Sequence, residues 1–215
     1  MDAIIQFLPD FAWAFLTTLS LLIYAGIGAT VLGVLIAAMR ISPVASFRTF
    51  ATAYTELLRN IPLTLILFFC AFVLPYLQVD LSYYTLALIG LTAYTSPFIA
   101  EAIRSGINGV PVGQAEAARS IGLPFAQVLS LVVLPQAIRM VIPPLINVFI
   151  ALTKNTSVAG AFFVVELFSV ARTASNERGD EVIAILAATA ALYLVITIPL
   201  GILAGRVEKK VAVLR

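Results

Sequence analysis

Histidine is absent from the 215-residue chain, and cysteine occurs once, at Cys70. The first absence removes His-based acid–base relays, Ser–His–Asp triads and His-ligated metal sites. The second removes a disulfide framework. Charge is scarce as well: 11% of the residues are charged, against about 25% in an average soluble domain. Hydrophobic residues make up 61%, against about 45–50%. One core of this size cannot hide that much apolar surface, and large exposed apolar surfaces mark interaction faces or membrane. A water-soluble monomer, a disordered chain and a collagen-like chain do not fit. No GxxxxGK[ST] phosphate loop occurs, and no Lys/Arg-rich run with aromatics suggests nucleic acid as a partner. No metal motif and no catalytic constellation is present, so energy for any work comes from an ion gradient or another subunit.

What the chain has instead is long charge-free runs. Phe11–Met39, Asn60–Val79, Leu81–Ala100 and Val182–Gly205 contain no charged residue, and Met140–Thr153 is a shorter run ended by Lys154. A spanning helix needs about 20 mostly apolar residues. The expected spans have cores near 14–38, 60–77, 84–102, 137–155 and 182–204, the fourth started by Pro143 and Pro144. The runs do not alternate as β-barrel strands do, so the fold class is an all-α membrane protein with five transmembrane helices in a single domain, 1–215. The first run is expected to be retained. Residues 1–15 carry Asp2 and Asp10 but no basic residue, and the run exceeds a signal peptide's apolar region of about 7–15 residues.

Orientation follows from cation bias. With the N-terminus outside, ten of the thirteen Lys and Arg residues fall on the inner side: Arg40, Arg48, Arg59, Arg104, Arg119, Arg139, Arg206, Lys209, Lys210 and Arg215. The expectation is therefore an outer N-terminus and a cytoplasmic C-terminus. One long inner segment, about 103–137, then joins the third and fourth spans.

That segment reads GQAEAARSIGLPFAQVLSLVVLPQAIR from Gly113 to Arg139. Gln114–Ile121 is a short Ala-rich helix former. Gly122 suits a left-handed stop and Pro124 the first turn of a new helix. Ala117 and Ala118 offer a smooth surface on which a partner's groove closes; a plain connecting loop lying on the membrane is the other reading.

Glu116-Ala117-Ala118, three residues, Gly122, nine residues, Val132, one residue and Leu134-Pro135 resemble the EAA loop of bacterial ATP-binding-cassette (ABC) importer permeases. Val132 stands where Ile is usual. Arg59-Asn60-Ile61-Pro62-Leu63 resembles the R-[GN]-T-P-L stretch of polar amino-acid permeases, with Ile61 in place of Thr. Ala100–Ile107 resembles AE-x2-R-x-GI, and Ala151–Ala159 resembles LxK[DN]TSLA. These matches cover most of residues 55–170, and the wording is closest to glutamate-type permeases.

The resemblance implies a type I ABC importer permease (MetI-like) in the bacterial cytoplasmic membrane. Residues 112–122, with Gly113, Gln114, Glu116, Ala117, Ala118 and Gly122, become the coupling helix that docks on an ABC ATPase dimer. A second permease subunit, identical or homologous, and an extracytoplasmic substrate-binding protein complete the assembly. ATP and Mg belong to the ATPase, and this chain holds no cofactor and catalyses nothing. The substrate is a polar amino acid, glutamate or a relative; a basic amino acid, glutamine or cystine on the same scaffold is the alternative, followed by a gradient-driven carrier or channel.

Ionisable and polar groups at membrane depth are the candidate substrate contacts, because they are costly there. Lys154, Asn155, Thr156 and Ser157 form one polar cluster, read as lining a cavity in irregular backbone. Lys154 could meet a substrate carboxylate; snorkelling, or neutralising a helix C-terminus, is its plain reading. Glu101 lies three residues before Arg104, on the same helix face, as an interfacial ion pair or a gating or pocket residue. Glu56 and Arg59 repeat that spacing. Tyr94, Thr95 and Ser96 precede Pro97 and either line the path or satisfy backbone groups that the proline frees. Gly26, Gly28 and Gly33 permit close helix packing, Cys70 is a small apolar residue, and 166–181 is a short charged loop that faces the binding protein or only solvent.

Overall fold

The computed structural model describes residues 2–212, so Arg215 among the counted cations lies outside the described residues. Every regular element described is helical. A short α1 (Asp2–Gln6) leads into α2 (Leu8–Ile41), followed by α3 (Ala45–Asn60) and α4 (Leu63–Tyr76). Next come α5 (Tyr83–Asn108), α6 (Val112–Ser120), α7 (Phe125–Ala159), α8 (Leu167–Glu177) and α9 (Val182–Ala212).

The long helices are apolar on all sides, as membrane helices are. In α2, Ala14, Thr18, Leu21, Ala25 and Ala29 face inward at helical spacing, while Trp13, Leu16, Ile23, Ile27 and Val31 are exposed. α5 lies centrally, packed by α2, α3, α4 and α7. Gly33 explains how closely α2 approaches it: a Cβ there would lie 2.7 Å from the Ile99 Cγ2 and 2.9 Å from the Ser96 carbonyl. Leu21, Leu67, Leu91 and Leu152 join α2, α4, α5 and α7 in the main core. A second core at the α1 end unites Phe7 and Phe11 with Leu167, Val170 and Ile185.

Among the described residues, four helices are long and apolar enough to cross a membrane: α2, α5, α7 and the segment containing α9. The expected second span, 60–77, is modified. It starts at Leu63, after a 100° bend at Ile61-Pro62, and passes as a span only together with α3. Pro62 is extended, at ψ 136°, which is why the helix cannot run through.

The fourth span also differs from expectation. It begins at Phe125, not near 137, and Pro143 and Pro144 lie inside it. Proline's fixed φ is compatible with a helix; what is lost is a donor to each carbonyl four residues back, and membrane helices tolerate that when neighbours compensate. A wider π turn occupies Val128–Val133. Pro97 in α5 shows the compensation directly. It cannot donate to the Ala93 carbonyl, and the Ser96 Oγ (3.1 Å) and Tyr54 hydroxyl (3.3 Å) approach that oxygen instead.

Candidate functional site

The loop 109–124 folds as its residues suggest. α6 ends at Ser120, and Gly122 is left-handed at φ +86°. Its N–H donates to the Arg119 carbonyl (2.9 Å), and the Leu123 N–H donates to the Ala118 carbonyl (3.2 Å). These two bonds form a Schellman stop. The next helix starts after Pro124. Gly113, Gln114, Glu116, Ala117 and Gly122 are exposed, whereas Ala118 is buried against the rest of the chain. Four of the coupling residues named from sequence, together with Gly122, thus form one outward surface; Ala118 anchors it. Sequence reasoning missed the apolar residues on that surface: Val112, Ile121 and Phe125 are 69%, 79% and 77% exposed. Their signal was an apolar residue on each side of the Gly-Leu-Pro turn.

The cluster 154–157 does not share one face. It lies in regular helix, where successive side chains turn by about 100°. Asn155 faces α5 and lines a cavity of about 350 Å³ with Tyr94, Thr95, Phe98, Asn147 and Ala151. Lys154 and Ser157 line a separate groove against α9, with Tyr193 and Thr197. Thr156 is buried, its hydroxyl donating to the Thr153 carbonyl at 2.7 Å; the Ser157 hydroxyl donates to the Lys154 carbonyl at 2.7 Å. Both protons are spent within their own helix. Thr95, from the other expected group, does meet Asn155 across the cavity. Its Oγ1 is buried without a hydrogen-bond partner, which is uncommon because an orphaned buried polar atom is costly.

Glu101 gathers three arginines. Arg104 contacts it as the spacing predicts, Arg40 at the end of α2 reaches it at 2.5 Å, and Arg59 lies 3.9 Å away. Arg59 therefore turns to Glu101 rather than making the expected i,i+3 pair with Glu56, and its guanidinium carbon lies 5.5 Å from the Phe98 ring centroid. Only the Arg104 contact was visible in the spacing, because the other two depend on how α2 and α3 pack.

Glu166, read as part of a charged loop, is fully buried. It caps α8, accepting from the Phe168 N–H (2.9 Å) and the Ser169 N–H (2.8 Å), and the Tyr193 hydroxyl donates to it at 2.6 Å. The adjoining Leu167 N–H donates to Thr18 Oγ1 at 3.3 Å. Burial holds the carboxyl above the ordinary glutamate range, although the phenol, the two N–H groups and Arg172 pull it down.

The family described as "binding-protein-dependent transport system inner membrane component" matches residues 29–213. The glutamate transport system permease protein GluC of Corynebacterium efficiens is 39% identical over 95% of both chains. The probable glutamine ABC transporter permease protein GlnM of Bacillus subtilis is 43% identical over 91% of this chain and 90% of its own. Among solved structures, the crystal structure of an amino acid ABC transporter with histidines superposes with a TM-score of 0.89, at 28% identity over 96% of each chain.

Proposed function

The chain belongs to the inner membrane components of binding-protein-dependent transport systems, as an amino-acid ABC transporter permease, and we propose that its cargo is glutamate, held on its way through the membrane in the cavity between α5 and α7. The observation that carries the cavity assignment is its wall: Thr95 Oγ1 without a partner, opposite Asn155 and beside Asn147, at the midpoint of a long apolar helix; the likeness to the glutamate permease GluC supports glutamate as the cargo. A pocket of this kind, mostly apolar with a few convergent polar groups, is what a small polar solute requires.

In this reading the multi-pass chain lies in the bacterial cytoplasmic membrane, N-terminus outside, paired with a second permease subunit. α6 docks on an ABC ATPase dimer, which binds ATP and Mg, and a binding protein delivers the amino acid from outside. ATP-driven closure of the ATPase pair draws the α6 helices together and exposes the cavity to the outer side; hydrolysis resets it. The capped and exposed α6, with Ile121 and Phe125 bare at its end, supports a docking role, since such apolar surface in a water-facing loop marks a protein partner.

Glutamine is the second reading, favoured by the neutrality of the cavity's own polar groups, Thr95, Asn147 and Asn155. The deciding measurement is ATP hydrolysis by the reconstituted complex with its binding protein, stimulated by each amino acid in turn. Glutamate is expected to stimulate most; stimulation by glutamine alone replaces it as cargo, and full uptake in vesicles lacking ATP would remove the ATPase from the reading altogether.

A further inference from the structure

The α5–α7 cavity has an aromatic wall, with the Tyr94 and Phe98 ring centroids 5.3 Å apart, and neutral polar groups, but none of its lining residues is a cation. Every amino acid brings at least one carboxylate, and an unpaired carboxylate withdrawn from water is expensive. Lys154 is the basic residue nearest in sequence to Asn155, yet it lines the groove on the α9 side.

The cations at the Glu101 cluster differ in how firmly they are held. Arg104 and Arg40 contact the Glu101 carboxylate directly, the latter at 2.5 Å. Arg59 stands 3.9 Å from it, beyond hydrogen-bond reach. Two guanidiniums already outnumber that single negative charge. Even counting Glu56, whose charge acts on Arg104, the cluster holds three arginines against two acids. The least committed arginine is also the one lying over Phe98, a ring that walls the cavity. A guanidinium combines stacking on an aromatic face with forked, bidentate recognition of a carboxylate.

We propose that Arg59 is a substrate-binding residue: sliding across the Phe98 ring, it leaves Glu101 and binds a carboxylate of the amino acid in the α5–α7 cavity. Arg40 and Arg104 keep Glu101 neutralised meanwhile, so the move strands no acid. The proposal rests on the reading that this cavity holds the substrate.

The test is equilibrium binding of labelled L-glutamate, L-glutamine and the α-amide of L-glutamate to the permease–ATPase complex in lipid nanodiscs, for wild type, Arg59→Gln and Arg59→Lys. Loss of a charge-assisted hydrogen bond is expected to weaken glutamate binding about tenfold or more in Arg59→Gln, with partial recovery in Arg59→Lys. The penalty disappears for whichever amide lacks the contacted carboxylate: kept for glutamine and lost for the α-amide, it identifies the α-carboxylate; the reverse pattern identifies the side-chain carboxylate. An equal penalty for all three ligands overturns the proposal and leaves Arg59 holding α3 against α5. Thr95→Val and Asn155→Leu, measured alongside, separate the two readings. If neither weakens binding, the cavity assignment has failed; if both do while Arg59→Gln does not discriminate, only Arg59 is misassigned.

Discussion

Glu101 and Glu166 are acids withdrawn from water at opposite ends of the bundle, and they are compensated in different ways. Glu101 is met by full positive charges from α2, α3 and α5. Glu166 is met by two N–H groups at the start of α8 and the hydroxyl of Tyr193. The first arrangement is an excess of cations around a partly exposed carboxylate; the second is dipoles around a buried one. Cations on long side chains can exchange partners, as proposed for Arg59. N–H groups fixed in a helix cannot, so Glu166 pins α8 between α2, α7 and α9. A Cβ on Gly160 would even collide with its carboxylate.

The strongest challenge to this contrast is Glu101→Leu. Three arginines then lose their common partner, and breaking a half-exposed ion cluster costs about 2–3 kcal/mol, between the exposed and the buried cases. A clear fall in the thermal midpoint of the detergent-solubilised protein is expected, and an unchanged midpoint would mean the arginines already have other partners. Next is Glu166→Gln, with about 2 kcal/mol lost as capping and phenol bonds weaken. Its signature is a slope in pH. A carboxyl raised by burial takes up its proton more readily in the folded state, so wild-type stability falls as pH rises through the raised value. Glutamine does not ionise, and the variant's deficit should shrink from mildly acidic to neutral pH. A deficit that grows over that interval contradicts the burial effect.

Gly122→Asp tests the exposed end rather than the ion clusters. Left-handed backbone costs a residue with a side chain about 1 kcal/mol, and nothing lies within 4 Å of the new Cβ, so insertion and folding should survive. Substrate-stimulated ATP hydrolysis should be lost; normal stimulation counts against α6 as the docking element. The smallest effect is expected from Lys154→Ala. Lys154 lines the α9-side groove, away from the α5–α7 cavity, so glutamate uptake should stay within a fewfold of wild type. A loss confined to acidic amino acids would instead move the substrate site to the α7–α9 groove.

Parts of the candidate site were legible because they depend on local chemistry. The stop at Gly122 and restart at Pro124 follow from the φ each residue favours. The Glu101–Arg104 contact follows from three-residue spacing on one helix. The division of Lys154 from Asn155 was readable in principle, since helical neighbours point about 100° apart, but the polar run 154–157 suggested irregular backbone and the helix is regular there. The burial of Glu166 left no such trace. Loop 166–181 reads as charged along its length, and only the packing of α8 against Thr18 and Tyr193 distinguishes its first acid from the rest.

Membrane residence, the helical class and the shape of the loop 109–124 were thus determined by the amino-acid sequence alone, because run length, backbone preference and short spacing act within one segment. Which residues share the cavity, which arginine is loosely held and which acid is buried were decided by tertiary structure. Those outcomes depend on the distance and rotation between helices far apart in the chain, set by close contacts such as that of Gly33 with Ser96 and Ile99.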